Sequence, residues 1–431
     1  MMRPGEAVLL PVVLFFLFGA VLCLPASGEE SVASMDVVTG PDGDYAAHRL
    51  IVTFRSGLDA AAARMTGVHA ALGGRVTRDL GPLGLPGRQV VTLSAGADLE
   101  ATATRYRADP SVERVEKDWV CRLDRVPDDP RYGELWGLSR IAAPAAWNRT
   151  TGSREVVVAV IDTGVSRGHP DLAANIWANA GEVPGNGLDD DHNGYVDDVN
   201  GWDFRNGDPD PDDAYGHGTH CAGTAGAVGG NGIGVTGVAW QVRIMPLKYM
   251  QSGSDYGFVS EAAEAILYAN RMGADVLSCS WYEPDSTLVR DAIAASPALV
   301  VCSAGNNGHD TDRTPQYPAC YPLPQVVSVA ATGPSDERAS FSNYGAVSVD
   351  LGAPGVNVLS TSPGGGYAWL SGTSMAVPHV AGVAALSLSL NRSLSVFDLK
   401  RALLEGADPL PSLAGRTVSG GRLNASRTLA L

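Results

Sequence analysis

The run Glu155-Val156-Val157-Val158-Ala159-Val160-Ile161 is apolar and β-branched almost throughout, and it delivers the chain to Asp162-Thr163-Gly164. A strand with one wet face alternates polar and apolar residues. A continuous run instead reads as a strand covered on both faces, which is the habit of parallel sheets flanked by helices. Similar runs predict strands over 242–247, 276–280, 299–303 and 326–330. The expected fold class is therefore α/β, a doubly wound, mostly parallel sheet, with its chemistry at the carboxyl ends of the strands.

Three further stretches carry groups suited to acyl transfer. Ser371-Gly372-Thr373-Ser374-Met375-Ala376-Val377-Pro378-His379 sets a hydroxyl among small residues at the start of a helix, near orphan N–H groups and the positive end of the helix dipole. Pro378 is expected to cost little so near a helix start. Gly216-His217-Gly218-Thr219-His220-Cys221-Ala222-Gly223 sets an imidazole among glycines ahead of another small-residue helix. An unperturbed histidine titrates near ~6.5, so His217 is suited to accept and return a proton at neutral pH. Val300-Val301-Cys302-Ser303-Ala304-Gly305-Asn306-Asn307 ends a buried strand in a turn that presents an amide. Serine is a poor nucleophile without a base and a group to orient that base, and Asp162 and His217 supply both. Singly, Asp162 is as readily a strand-end turn residue, and a serine at a helix start is usually a cap. Of eight histidines only His217 has a base's surroundings; His169 and His379 are expected in structural hydrogen bonds, and His48, His69, His192, His220 and His309 carry no signal.

Taken together, in the order Asp, His, Ser, these motifs resemble those of the subtilisin-like serine proteases, the subtilases. The resemblance implies Asp162 as orienter, His217 as general base and then acid, Ser374 as nucleophile, and Asn306 as oxyanion donor beside the serine N–H. It extends through Trp136-Gly137-Leu138, Ile141, Ala143-Pro144-Ala145-Ala146-Trp147 and Ser419-Gly420-Gly421-Arg422-Leu423-Asn424, and gives a peptidase domain over 130–431. The implied activity is a serine endopeptidase made as a zymogen and acting through an acyl-enzyme on polypeptide substrates, as a monomer. Two other readings compete. A catalytically silent, peptide-binding relative calls for a damaged triad, and none is visible. An esterase of another fold calls for Gly-x-Ser-x-Gly and the order Ser, Asp, His, which do not occur at this site.

Ahead of that domain, residues 44–120 change character. Strands are expected over 50–54, 75–80, 89–93 and 112–117, and helices over 58–72 and 99–108. This β-α-β-β-α-β order resembles the inhibitory propeptide of subtilases, a small α+β, ferredoxin-like sandwich that acts as an intramolecular inhibitor. The junction is expected between Cys121 and Asp128. Residues 1–28 have the form of a signal peptide: Arg3, the apolar run 8–24, then Pro25-Ala26-Ser27-Gly28. This implies secretion, with an uncleaved anchor as the competing reading, and no later stretch is expected to span a bilayer. Asn148, Asn391 and Asn424 then become candidate glycan acceptors, Asn424 the weakest because it lies at a helix start.

With 47 acidic against 31 basic side chains, net −16, nucleic acid is excluded as a partner. The acidity is concentrated between Asp189 and Asp213. Asp189-Asp190-Asp191-His192-Asn193-Gly194-Tyr195-Val196-Asp197-Asp198 puts hard oxygen ligands on alternate positions with a glycine for the turn, as a calcium loop does, without the closing glutamate of a full EF-hand. Asp189, Asp191, Asn193, Tyr195, Asp197 and Asp198 are the candidate ligands. The resemblance implies a second, structural Ca2+ site, with Asp171 and Asn231 as ligands and with carbonyls of the 228–235 loop and Asp129 completing it. Of six cysteines, Cys23 would leave with the signal peptide and Cys121 with the propeptide. Cys221, Cys279, Cys302 and Cys320 are open to bridging, although Cys279 and Cys302 read as buried thiols. The resemblance implies a free Cys221 thiol beneath the catalytic histidine.

By the same resemblance, Ser252-Gly253-Ser254 and Ser303-Ala304-Gly305 wall the substrate site, and the edge strand usually reads Ser-x-Gly-Gly. Here it is Ser280-Trp281-Tyr282-Glu283. Two bulky residues in place of two glycines predict a narrowed or lidded pocket, and Glu283 suits a basic substrate residue.

Overall fold

The computed structural model describes residues 37–40, 43–55, 61–121 and 125–431. The expected signal peptide, 1–28 with Cys23, lies outside the described residues. The described chain falls into two compact units, one containing Asp44–Val120 and the other Cys121–Leu431.

In the first unit the strand Gly43–Phe54 runs antiparallel between Arg88–Leu93 and Val112–Trp119, and Gly74–Asp79 pairs with the outer side of Arg88–Leu93. Helices Ala61–Leu72 and Leu99–Ala108 complete a ferredoxin-like βαββαβ order. The second helix starts at Asp98, whose carboxylate accepts the Ala101 N–H at 2.9 Å and so satisfies one orphan donor of the first turn. Leu50, Val52, Val91 and Tyr106 form a fully buried core. Each such side chain contributes roughly 1.5–3 kcal/mol by leaving water.

The second unit is built on a nine-stranded sheet. Its spatial order is Asp408–Pro409, Gly421–Arg422, Leu351–Pro354, Val326–Thr332, Leu299–Ser303, Val276–Cys279, Gly152–Asp162, Gln241–Lys248 and Trp202–Asp203. Every pairing is parallel except the outermost, between Asp408–Pro409 and Gly421–Arg422. All five strands expected from apolar runs are present. After Gly152–Asp162 the chain visits Gln241–Lys248 on one side and then Val276–Cys279 on the other. Asp162 therefore stands at the point where winding reverses, where such sheets open a crevice.

The helix Thr373–Leu390 packs against the sheet as the core's central rod. Small residues permit this: a Cβ on Gly382 would lie 2.5 Å from the Val238 Cβ. This helix has the length and apolar composition of a membrane span, contrary to the expectation that no later stretch would, but it is buried in the core. Pro378 is tolerated for a reason other than proximity to the helix start. It is an interior residue whose missing N–H leaves the Ser374 carbonyl without its helical partner. That carbonyl instead accepts from the Ser280 hydroxyl at 3.0 Å and the Cys221 thiol at 3.5 Å.

Candidate active site

Asp162 ends the strand Gly152–Asp162 fully buried, and His217 opens the helix His217–Gly226. His217 Nδ1 lies 2.8 Å from Asp162 Oδ1 and 3.0 Å from Oδ2. An ionised carboxylate only accepts, so Nδ1 carries the proton and Nε2 keeps its lone pair. Burial by itself lowers the His217 pKa. The negative charge and hydrogen bond of Asp162 outweigh it, with Asp213 and Asp255 acting in the same sense, so the net shift is upward from 6.5. The close approach depends on Gly218, where a Cβ would sit 2.2 Å from the Gly164 carbonyl oxygen and 3.0 Å from the Asp162 Cβ.

Asp213 is a brace that sequence reading left unassigned within the acidic stretch. Its Oδ1 accepts from the N–H groups of Tyr215 and Gly216 and from the Thr163 hydroxyl, and its Oδ2 from the N–H and hydroxyl of Thr219. One carboxylate thus ties the loop before His217 to the turn after Asp162.

Ser374 is the second residue of its helix, where backbone N–H groups have no intrahelical acceptor. Its hydroxyl donates to the Ser280 carbonyl at 3.1 Å, so this rotamer rests against the segment that follows Val276–Cys279 rather than on His217. Catalytic hydrogen bonds are commonly loose before substrate binds. Asn306 shares the cleft with Ser374 and His217. Its Oδ1 accepts from the Thr373 N–H at 2.8 Å and hydroxyl at 3.0 Å, which turns the amide NH2 outward as a donor. Thr373 is thus a second positioning residue that sequence reading missed.

The cleft has a volume of about 440 Å³ and also takes in Ser280, Trp281, Tyr282, Glu283, Ser303 and Gly305. Ala304 is buried behind the wall. Ser252, expected on the opposite wall with Gly253 and Ser254, instead receives a hydrogen bond from Lys248 and lines a separate acidic hollow with Asp208, Asp210, Asp212 and Asp213. The wall beside the cleft is formed by Tyr249, Met250 and the segment 255–259, none of them foreseen. Period-two alternation explains the bulky edge: Trp281 turns inward against Tyr249, ring centroids 5.4 Å apart, while Tyr282 is 70% exposed at the rim.

The expected cation loop gathers only part of its candidate set. Carboxylate oxygens of Asp189 and Asp191 lie within 4.8 Å of each other and of Glu182, which the sequence reading missed. Asp197 instead accepts the N–H groups of Gly185, Asn186 and Gly187. Asp198 is buried and accepts from the amides of Asn179 and Asn193 and from the Tyr268 hydroxyl. The Asn193 side-chain Oδ1 takes the Tyr195 N–H, and the Tyr195 hydroxyl donates to Glu264. Alternation on paper fails because His192 and Asp197 adopt positive φ, 57° and 55°, which redirects the side chains. At the second site, Asp171 is fully buried and accepts from Asn231 at 3.0 Å, Val235 N–H at 2.9 Å and the Tyr367 hydroxyl at 2.8 Å. Asp129 takes the Gly230 N–H through Oδ2, while its buried Oδ1 has no protein partner.

Burial lowers His220 and His379 to about 4, so both stay neutral; His169 bonds the Gly366 carbonyl and the Asp171 N–H. All five described cysteines are unpaired. Cys221 lies beside Asp162 and His217, fully buried, and burial raises its pKa well above 9.0, so the thiol stays protonated and is no competing nucleophile. Asn424 cannot serve as a glycan acceptor in this fold: its Nδ2 donates to both oxygens of Asp408 and its Oδ1 caps a helix.

Residues 153–425 match the Subtilase family, and residues 32–118 match the Fervidolysin N-terminal prodomain. Thermitase of Thermoactinomyces vulgaris is 37% identical over 311 residues, covering 70% of this chain and 99% of its own length. The thermophilic serine proteinase of Bacillus sp. (strain AK1) is 36% identical over 332 residues, 76% of this chain and 75% of its own. Subtilisin Savinase of Lederbergia lenta is 41% identical over 281 residues, 64% of this chain and 92% of its own. A solved protease structure from Pseudoalteromonas arctica PAMC 21717 superposes with a TM-score of 0.59 at 28% identity, covering 71% of this chain and 99% of that one. With that family match over most of its length, the chain belongs to the subtilases and is a subtilisin-like serine endopeptidase with an amino-terminal prodomain.

Proposed function

We propose that this subtilase is secreted as a zymogen and cleaves polypeptides through Asp162, His217, Ser374 and Asn306. The observation that carries the assignment is the Asp162–His217 contact of 2.8 Å in a cleft shared with Ser374 and Asn306. Rotation of the Ser374 side chain off the Ser280 carbonyl brings Oγ to the free Nε2 of His217. Oγ then bonds to the substrate carbonyl carbon as its proton passes to Nε2. The carbonyl oxygen becomes an oxyanion, met by the outward NH2 of Asn306 and the Ser374 N–H. The tetrahedral adduct collapses by breaking the C–N bond, and the leaving amine takes the proton from Nε2. Water repeats the sequence on the acyl-enzyme, releasing the acid and restoring Ser374. Asp162 holds the tautomer and stabilises the imidazolium.

The prodomain, 44–120, serves as the intramolecular inhibitor until it is removed, and the pattern 1–28 directs export. Structural calcium fits the donor sets. The orphaned, buried Oδ1 of Asp129 beside fully buried Asp171 and the Asn231 amide is an oxygen-rich setting suited to a hard cation. Asp189, Asp191 and Glu182 form the other candidate site, with Asp197 and Asp198 bracing the loop rather than ligating. Calcium there clamps loops and takes no part in bond breaking.

The test is a fluorophosphonate label applied to processed protein beside Ser374→Ala. Labelling of wild type at one site, absent in the variant, supports the assignment. An unlabelled, processed wild type overturns it.

A further inference from the structure

Resting on the peptidase reading above, we infer that Glu283 makes this enzyme select lysine or arginine at the acyl side of the bond it cleaves. Glu283 follows Ser280, whose carbonyl holds the Ser374 hydroxyl, by three residues, and both line the cleft that holds Ser374 and His217. Glu283 turns inward and is 8% exposed.

Its partners are few. Glu283 Oε1 accepts from the Tyr321 hydroxyl at 3.2 Å, but that single proton also faces the Ser286 carbonyl at 2.9 Å. Oε2 is buried with no protein partner. Buried carboxylates in native proteins are almost always paired or fully hydrogen-bonded, so the missing partner is the informative feature. The residues lining the cleft include two carboxylates, Glu283 and Asp255, and no lysine or arginine. Trp281 adds an aromatic surface suited to the stem or the face of a guanidinium. A cation delivered by substrate completes what the fold leaves open.

The groups around Glu283 let pH report on the pairing. Burial, reinforced by the negative Asp285, raises its carboxyl to about 7 against the Tyr321 hydrogen bond. Tyr249 and Cys302, which also feel its charge, are held neutral by burial, and none of these neighbours is a cation. A cationic side chain therefore meets a neutral acid at low pH and a carboxylate at high pH.

The experiment uses processed enzyme and fluorogenic peptides that differ only in the acyl-side residue: Arg, Lys, Gln, Leu or Phe. Wild type is expected to favour Arg and Lys over Gln by about 10–100-fold in kcat/KM at pH 8.5, the worth of a charge-assisted hydrogen bond. The ratio, in which His217 cancels, falls several-fold at pH 6. Glu283→Gln removes the Arg preference and its pH dependence while the rate on Leu and the fluorophosphonate labelling rate stay within about 3-fold. Preference for Leu or Phe in labelled wild type, or an equal loss on all five peptides in Glu283→Gln, overturns the inference and leaves the peptidase reading standing. Absence of labelling in processed wild type defeats that reading instead. Glu283→Ala with a similar labelling rate separates a lost charge from a collapsed wall: Leu cleavage within about 3-fold of wild type with the Arg preference lost supports the role, and a retained Arg preference overturns it.

Discussion

Two buried carboxylates serve the same crevice, Asp162 behind His217 and Glu283 in the lining, and they are treated in opposite ways. Asp162 is fully buried, holds His217 at 2.8 Å and accepts the Thr163 N–H at 2.7 Å. Glu283 is nearly as buried but has one shared proton on Oε1 and none on Oε2. A charge taken out of water costs several kcal/mol unless the protein answers it. Asp162 is answered by the fold and so can hold another residue still. Glu283 is not, and is left to be answered from outside. The lesson is that the occupancy of a carboxylate's lone pairs, more than its burial, separates a positioning group from a recognition group.

The largest expected effect breaks the answered carboxylate. Asp162→Asn keeps the shape but offers His217 Nδ1 an amide, which stabilises the wrong tautomer and no imidazolium. A fall in kcat of about 10⁴ is expected. The acid limb of the kcat/KM profile should also move down, because Asp162 is the chief influence raising His217 above 6.5. In wild type, activity is lost as pH falls through that raised value, since protonated His217 cannot accept the serine proton. A drop under 10-fold would show that the contact is only architectural. Next in size, Asn306→Ala is expected to lower kcat about 10²–10³-fold with KM little changed, since its donor meets only the oxyanion. Steady-state kinetics on one peptide checks both.

Asp129 sharpens the contrast, because it too has an orphaned buried oxygen. Its surroundings differ: Asp171 and the Asn231 amide lie beside Asp129, whereas Tyr321 and Tyr249 are the groups that meet Glu283. Oxygen-rich walls suit a bare metal ion, and aromatic walls suit an organic cation. In the Ser374→Ala background, which cannot digest itself, chelation is expected to remove about 3–4 kcal/mol at calcium well above Kd. That corresponds to a Tm lower by roughly 5–15 °C. Asp129→Asn should remove much of that sensitivity, and Glu283→Gln none. Equal sensitivity in both variants would erase the distinction.

Much of this was legible in the sequence, for identifiable reasons. Strands buried on both faces cannot alternate, so the runs ending at Asp162 and Ser303 announce a parallel sheet. Catalytic groups that must approach backbone closely need small neighbours, so Gly218 beside His217 marks itself. What stayed hidden depends on direction rather than order. Glu182 joins Asp189 and Asp191 only because the chain folds back, and positive φ at His192 and Asp197 turns evenly spaced acids apart. Thr373 and Asp213 act through hydrogen bonds that no spacing encodes. Ser252 faces Lys248 because the edge beside it is set by the bridge between Met250 and Gly257.

The smallest expected effect tests the unanswered carboxylate by stability alone. The Glu283 carboxyl is raised from 4.5 to about 7, chiefly by burial. A raised acid favours the fold while it is protonated, so its contribution is complete below about 4.5 and is lost as pH rises through about 7. Glutamine stays neutral throughout. Glu283→Gln in the Ser374→Ala background should therefore match its parent near pH 5 and exceed it at pH 8.5 by on the order of 2 kcal/mol. Thermal melts at the two pH values measure the difference, a few degrees at the alkaline end. A small excess that then shrinks when an arginine peptide binds the parent, but not when a leucine peptide does, is what a carboxylate awaiting a cation produces. An excess equal at both pH values means the carboxyl is already answered within the fold, and the two carboxylates are alike.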